Sequence, residues 1–109
     1  MGFDTPEFKV GDEVRAYGRH ASVGVASSTE YMTHSAHAVA HTPQELSFEE
    51  ATALPLTGGT ALRAVDSLDL TSEQTLFIHN GAGGVGQTAI QIAKTAGVRV
   101  LAIWIGKEP

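Results

Sequence analysis

The spacing of apolar and polar positions changes character partway along this chain. Val14-Arg15-Ala16-Tyr17 alternates between the two, as a half-buried strand does. Phe8-Lys9-Val10-Gly11-Asp12-Glu13 ahead of it reads as a turn, with Gly11 and Asp12 supplying the turn chemistry. Gly18–Gly24, carrying Arg19 and His20, reads as a loop. Val25–Thr33 predicts a second strand with Glu30 and Tyr31 near its middle, and Ala38-Val39-Ala40 a third, ended by Thr42-Pro43. No helical period occurs in this first third.

From Ser47 the period lengthens. Ser47-Phe48-Glu49-Glu50 is a capping box, in which the serine accepts from the Glu50 N–H and the glutamate reaches back. The short helix it opens must end or kink at Pro55. Gly58-Gly59-Thr60 opens another helix, with Ala61, Leu62, Val65 and Leu68 on one face, and Asp69–Gln74 connects it to the next element. Thr75–His79 is a mostly apolar strand. After a glycine-rich turn, Val85, Ala89, Ile92, Ala93 and Ala96 recur at helical spacing, with Gln87, Gln91 and Lys94 on the other face. Gly97 stops that helix, and Val98–Ile105 reads as a returning parallel strand. The expected class is α/β, with a boundary near Pro43–Ser47 where β pieces give way to alternating helix and strand.

The turn itself carries the candidate chemistry. Gly81-Ala82-Gly83-Gly84-Val85-Gly86 satisfies G-x-G-x-x-G between a strand and a helix, within a strand–helix–strand unit. One glycine is expected to turn the chain sharply out of the strand, one to let the backbone approach a pyrophosphate, and one to let helix and strand pack closely. The first free N–H groups of the helix then meet the phosphates, favoured by the helix dipole. The competing reading is a tight turn that binds nothing.

Composition narrows the field. The chain has 109 residues and a net charge of -5, with no block of Lys and Arg, which argues against nucleic acid and against an anionic membrane surface as partner. Without cysteine there is no disulfide framework and no thiolate metal site. No apolar run is long enough to cross a bilayer, and the early acids Asp4 and Glu7 do not suit a signal peptide, so a cytoplasmic protein is expected. His34, His37 and His41 invite a metal reading. Strand positions three apart point to opposite faces, though, so no metal site is expected. His79, at the end of the central strand, reads as a packed, hydrogen-bonded histidine ahead of a ligand-facing one. Glu49 and Glu50 are explained by the helix cap rather than by catalysis. An NAD site wants Asp or Glu at the end of the second strand. Here stand Ile103, Trp104, Ile105 and Gly106, with Lys107 a candidate partner for a 2′-phosphate and Glu108 several residues late.

Several stretches taken together resemble the medium-chain dehydrogenase/reductase superfamily, in its zinc-free quinone oxidoreductase branch. They are Phe8–Val14, Glu30-Tyr31, Leu46-Ser47-Phe48-Glu49-Glu50-Ala51, Leu54-Pro55-Leu56-Thr57-Gly58-Gly59-Thr60-Ala61, and Gly81–Gly86 with Gln91-Ile92-Ala93-Lys94. The resemblance implies the C-terminal part of a GroES-like catalytic domain over residues 1–45, a partial β region. It implies the N-terminal part of a Rossmann dinucleotide-binding domain over 46–109, its first β-α-β unit. It further implies NADPH as cofactor and hydride transfer to a small-molecule quinone or a carbonyl-conjugated alkene. Gly83, Gly84, Val85 and Gly86, with Gly81 and Ala82 in the same turn, would lie along the pyrophosphate, Thr60 near the nicotinamide, and Lys107 in the region that reads the 2′-phosphate. No catalytic residue carries over. Family members are longer, so the chain is expected to be a piece of such a reductase, inactive alone, with an unpaired sheet edge that favours self-association or a complementing fragment. The alternative is a non-catalytic nucleotide-binding or partner-binding module.

Overall fold

A computed structural model describes residues 7–18 and 28–106. Most of the expected loop at Gly18–Gly24, the first three residues of the expected Val25–Thr33 strand, and Lys107 lie outside the described residues. The chain divides into two compact units, Met1–Pro55 and Leu56–Pro109.

In the first unit, strand β1 (Val14–Ala16) pairs antiparallel with β2 (Val39–His41), Val14 opposite His41 and Ala16 opposite Val39. The turn ahead of β1 closes as its residues predict. Asp12 N–H donates to the Lys9 carbonyl at 3.1 Å, the Asp12 carboxylate accepts from Lys9 N–H at 2.8 Å, and Gly11 takes a φ of +96°. Residues 28–33 form no strand, contrary to the sequence expectation. Thr29 Oγ1 donates to the Tyr31 carbonyl at 3.0 Å, a local bond that competes with a ladder, and Tyr31 is 90% exposed. A 3₁₀ turn at Ala36–Ala38 delays the next strand to Val39. Helix α1 (Phe48–Thr52) carries the expected capping box: Ser47 Oγ accepts from Glu50 N–H at 3.2 Å, and the Glu50 carboxylate accepts from Ser47 N–H at 2.9 Å. Ala51 is its buried residue.

Pro55 has the effect anticipated for it. Helix α1 stops at Thr52, and Leu54–Gly58 is wound with the wider π pitch, which leaves room for a residue that has no N–H to donate.

The second unit holds α2 (Gly59–Asp66), β3 (Thr75–His79), α3 (Gly84–Thr95) and β4 (Arg99–Ile103). Strands β3 and β4 are parallel, in register from Thr75 opposite Arg99 to His79 opposite Ile103, with α3 as the crossover. The core is built from small side chains. Ala61 and Val65 of α2 meet Ala89 of α3, flanked by Leu70, Leu76, Ile78 and Ile92. The apolar faces read from the sequence are narrower in the fold. Leu62 of α2, Leu68 just after it, and Val85 and Ala96 around α3, are exposed, and Gly86, Ala89 and Ala93 form the buried stripe of α3. Gly97, at φ +78°, ends α3 as expected: Val98 N–H donates to the Ala93 carbonyl at 3.0 Å and Gly97 N–H to that of Lys94 at 3.0 Å, a Schellman motif.

Among the described residues of this unit, α2 and α3 lie on one face of the sheet. Leu76 and Ile78 turn towards the helices, whereas on the opposite face Phe77, Leu101 and Ile103 are 52%, 48% and 43% exposed. Trp104, the single tryptophan, follows β4 and is half exposed.

The capping box has a pH signature. Hydrogen bonds from the Ser47 N–H and then the Ser47 hydroxyl hold the Glu50 carboxyl below the usual glutamate range. Its folded pKa is thus lower than its unfolded one, so the box stabilises fully above the ordinary glutamate value of about 4.3 and is lost as pH falls through the lowered value. Thermal melts between about pH 7 and about pH 3 should show an acid-side loss that Glu50→Gln reduces. Identical profiles for the two proteins would remove the box from the stability of this unit.

Candidate dinucleotide site

The site begins where β3 stops. The sharp turn out of the strand is made by Asn80, at φ +58°, and not by the first glycine of the motif as the sequence suggests. Asparagine tolerates this left-handed conformation better than most residues with a side chain. Gly81 is buried, extends the ladder by donating to the Ile103 carbonyl at 2.9 Å, and is glycine for packing, since a Cβ there would stand 2.7 Å from that of Ala102. Gly86 answers the same need from the helix side. A Cβ on it would run into the Asn80 carbonyl and lie 3.0 Å from Gly81 Cα. Gly86 therefore lets the first turn of α3 sit directly on the strand end, while Gly81 leaves room for Ala102 of the neighbouring strand.

Gly83 is the N-cap of α3, in extended conformation (φ -72°, ψ 162°) and without a side chain to accept a hydrogen bond. Its N–H donates to the Asn80 carbonyl at 3.1 Å, and its carbonyl accepts from Gln87 N–H at 2.8 Å, the first bond of the helix. The N–H groups of Gly84, Val85 and Gly86 precede that bond and find no acceptor in the turn. The helix dipole adds partial positive charge at the same place. Gln87, read from the sequence only as a polar-face residue, pins the loop by donating from Nε2 to the Ala82 carbonyl at 2.6 Å.

These groups open onto a cleft of about 470 Å³. Gly83–Gly86 and Asn80 form its polar side, and Val65 of α2, Leu68 just beyond it, and Leu76 and Phe77 of β3 are among its apolar groups. His79 also lines it. The expectation of a packed, hydrogen-bonded His79 is overturned: the ring is exposed, its aromatic neighbour is Phe77, edge-on at 4.9 Å, and no side-chain hydrogen bond is seen to it. The cause is register, because odd-numbered residues of β3 face away from α3.

The other sequence candidates are scattered. Thr60 is exposed in the first turn of α2 and does not line the cleft. Ile103 ends β4, and Trp104, Ile105 and Gly106 follow it, without an acid among the four. His34 sits with Nε2 2.9 Å from the Tyr17 carbonyl and Nδ1 3.1 Å from that of Ser35, while His41 stacks on Phe8 at 4.7 Å. Among the described residues no three His, Asp or Glu side chains are grouped so as to hold a metal, and no helix is long and apolar enough to cross a membrane.

No protein-family model matches this chain. It is similar to the highly reducing polyketide synthase dmxL2 of Cryptosporiopsis sp. (strain 8999), 39% identical over 103 residues, which is 94% of this chain and 4% of that protein. It is also similar to a zinc-type alcohol dehydrogenase-like protein of Staphylococcus epidermidis, 38% identical over 108 residues, 93% of this chain and 32% of that protein. Among solved structures, CurK enoyl reductase matches at 40% identity and a TM-score of 0.63, over 65% of this chain and 22% of the other. The quinone oxidoreductase of Thermus thermophilus, whose structures include a complex with NADPH, matches at 32% identity and a TM-score of 0.61, over 66% and 24%. This chain thus spans a small part of each. The quinone oxidoreductases among the neighbours are those that the resemblance in the sequence names, and an enoyl reductase and alcohol dehydrogenase-like proteins stand beside them.

The geometry separates the glycines by role. Gly86→Ala should destabilise the second unit by about 1–3 kcal/mol through overpacking against Asn80 and Gly81. Gly83→Ala presses mainly on the side-chain amide of Asn80, with the Asn80 carbonyl oxygen at an ordinary contact distance of 3.4 Å, and should cost far less. Urea midpoints of the two variants decide the matter, and equal shifts would contradict this division.

Proposed function

We propose that this chain, a stretch of a medium-chain dehydrogenase/reductase, holds the pyrophosphate of NADPH on its Gly81–Gly86 turn and serves a zinc-free reduction of a carbonyl-conjugated alkene. One observation carries the reading: three amides, from Gly84, Val85 and Gly86, stand at the head of a twelve-residue helix without acceptors and without a capping side chain. The residues fit a dinucleotide, since the cap position, Gly83, is glycine and the loop behind it is already fixed by Gln87. Bound NADPH would supply the hydride.

The chain's own part is binding and orientation. Gly84, Val85 and Gly86 donate to phosphate oxygens, and Gly83 lets the backbone come close to them. Thr60 is assigned to the nicotinamide side by resemblance, and Lys107 to the 2′-phosphate. The lack of an acid from Ile103 to Gly106, at the end of β4, supports NADPH over NADH, because a carboxylate there would favour an unphosphorylated ribose and repel a 2′-phosphate. Similarity to reducing polyketide synthases and to an enoyl reductase supports an enoyl group over a quinone as acceptor. In the same proposal, residues 1–45 belong to a GroES-like catalytic part and 46–109 to the dinucleotide-binding part.

Calorimetric titration should give tighter binding of NADPH than of NADH, and a clear preference for NADH would overturn the cofactor assignment. Lys107→Ala should narrow the preference. Gly83→Val should abolish binding while circular dichroism stays unchanged. Binding retained in that variant would place the pyrophosphate elsewhere. Loss of reduced-nicotinamide absorbance, followed with enoyl thioesters, simple enones and quinones, tests the acceptor, and turnover with quinones alone would reverse that choice.

A further inference from the structure

Gly84 has no explanation in the motif. G-x-G-x-x-G fixes Gly81, Gly83 and Gly86 and leaves position 84 free. Nor does the backbone require glycine, since Gly84 is the first residue of α3 and its φ is not positive. What stands in the way of a side chain is Thr57. A Cβ on Gly84 would lie 3.2 Å from Thr57 Cγ2 and 3.9 Å from Thr57 Cβ. Thr57 is half-buried and belongs to the π-wound segment Leu54–Gly58 that runs into α2. A single wide turn of this kind is rare in a helix and often accompanies function.

The geometry points to Thr57 as a positioning residue of the dinucleotide site, its methyl group occupying the space of a side chain at 84. This contact sets how closely the lead-in to α2 approaches the first turn of α3. It thereby fixes the direction of the Gly84 and Val85 N–H groups. The inference rests on the proposed pyrophosphate site for its functional meaning, but the contact is a property of the ligand-free chain. Residues 57 and 84 form a matched pair: a branched residue at one requires glycine at the other.

The test is a rescue in the 109-residue chain, with NADPH as the probe. Gly84→Ala should weaken NADPH binding by about tenfold, because the added carbon must displace Thr57 or tilt the turn. Thr57→Ser removes the obstructing methyl, and the double variant Thr57→Ser/Gly84→Ala should recover binding to within about twofold of the starting protein. Thr57→Val keeps the branch beside Gly84, and should bind NADPH more tightly than Gly84→Ala does. Amide ¹H–¹⁵N shifts of Gly84, Val85 and Gly86, recorded without ligand, should move in Gly84→Ala and return in the double variant. Unchanged shifts in Gly84→Ala, or no return in the double variant, would overturn the inference. A loss of binding in Thr57→Val equal to that in Gly84→Ala would also overturn it, by assigning the role to the hydroxyl. If the starting protein fails to bind NADPH, the proposed function falls, and the amide shifts still decide whether Thr57 positions the turn.

Discussion

A helix set directly on the end of a strand, with no side chain between them, is the contact on which the second unit depends. The Asn80 carbonyl and Gly81 Cα lie where a Cβ on Gly86 would go, and Ala102 lies where one on Gly81 would go. Because these positions are bare, α3 starts immediately after the strand and its first turn points along the continuation of β3. Everything chemically suggestive follows. The N-cap has no side chain, the early amides stay unmatched, and Asn80 absorbs the change of direction in a conformation that few residues with a side chain adopt easily. A larger residue at Gly86 would push the helix away and turn those amides elsewhere.

The same economy of volume governs the packing behind the site. Ala61, Val65, Ala89 and Ala93 are buried, and among the described residues no large side chain is fully enclosed. Small residues let α2 and α3 approach closely, so the position of one helix is communicated to the other over short distances. The trade is a modest core. Little apolar volume is enclosed, and sizeable side chains remain at the surface on the far face of the sheet.

Much of this was legible in the sequence, for identifiable reasons. The unit from Thr75 to Ile103 is local, its strand and helix periods are clean, and its boundaries are marked by residues with specific jobs: glycines before the helix, Gly97 after it. The capping box was equally plain, since Ser47 and Glu50 interact within one turn. What escaped depends on neighbours distant in sequence. A strand period tells which residues share a face, not whether that face will be covered, so His79 was misjudged and the exposure of Leu62 and Leu68 was unforeseen. Residues 28–33 have strand-like composition, but a threonine bonded to its own backbone settles them otherwise. Among the site residues, Asn80 and Gln87 carried no motif signal, and Thr57 stood within a stretch of the resemblance with no role attached to it. The clearest hint was an asparagine standing immediately before glycine at a strand end. The family resemblance was readable because it rested on five separated stretches in the right order, and its neighbours among solved structures agree with it.

Trp104 stands just past β4, at the same end of the parallel pair as the glycine turn, and it is the chain's single indole. Being half exposed, it emits from an environment that any molecule settling over the strand ends would alter. Indole emission overlaps the absorption of a reduced nicotinamide ring, so a dinucleotide held there would draw excitation energy from one known residue. The chain thus carries its own optical gauge of occupancy, without a label and without competing signals from other tryptophans.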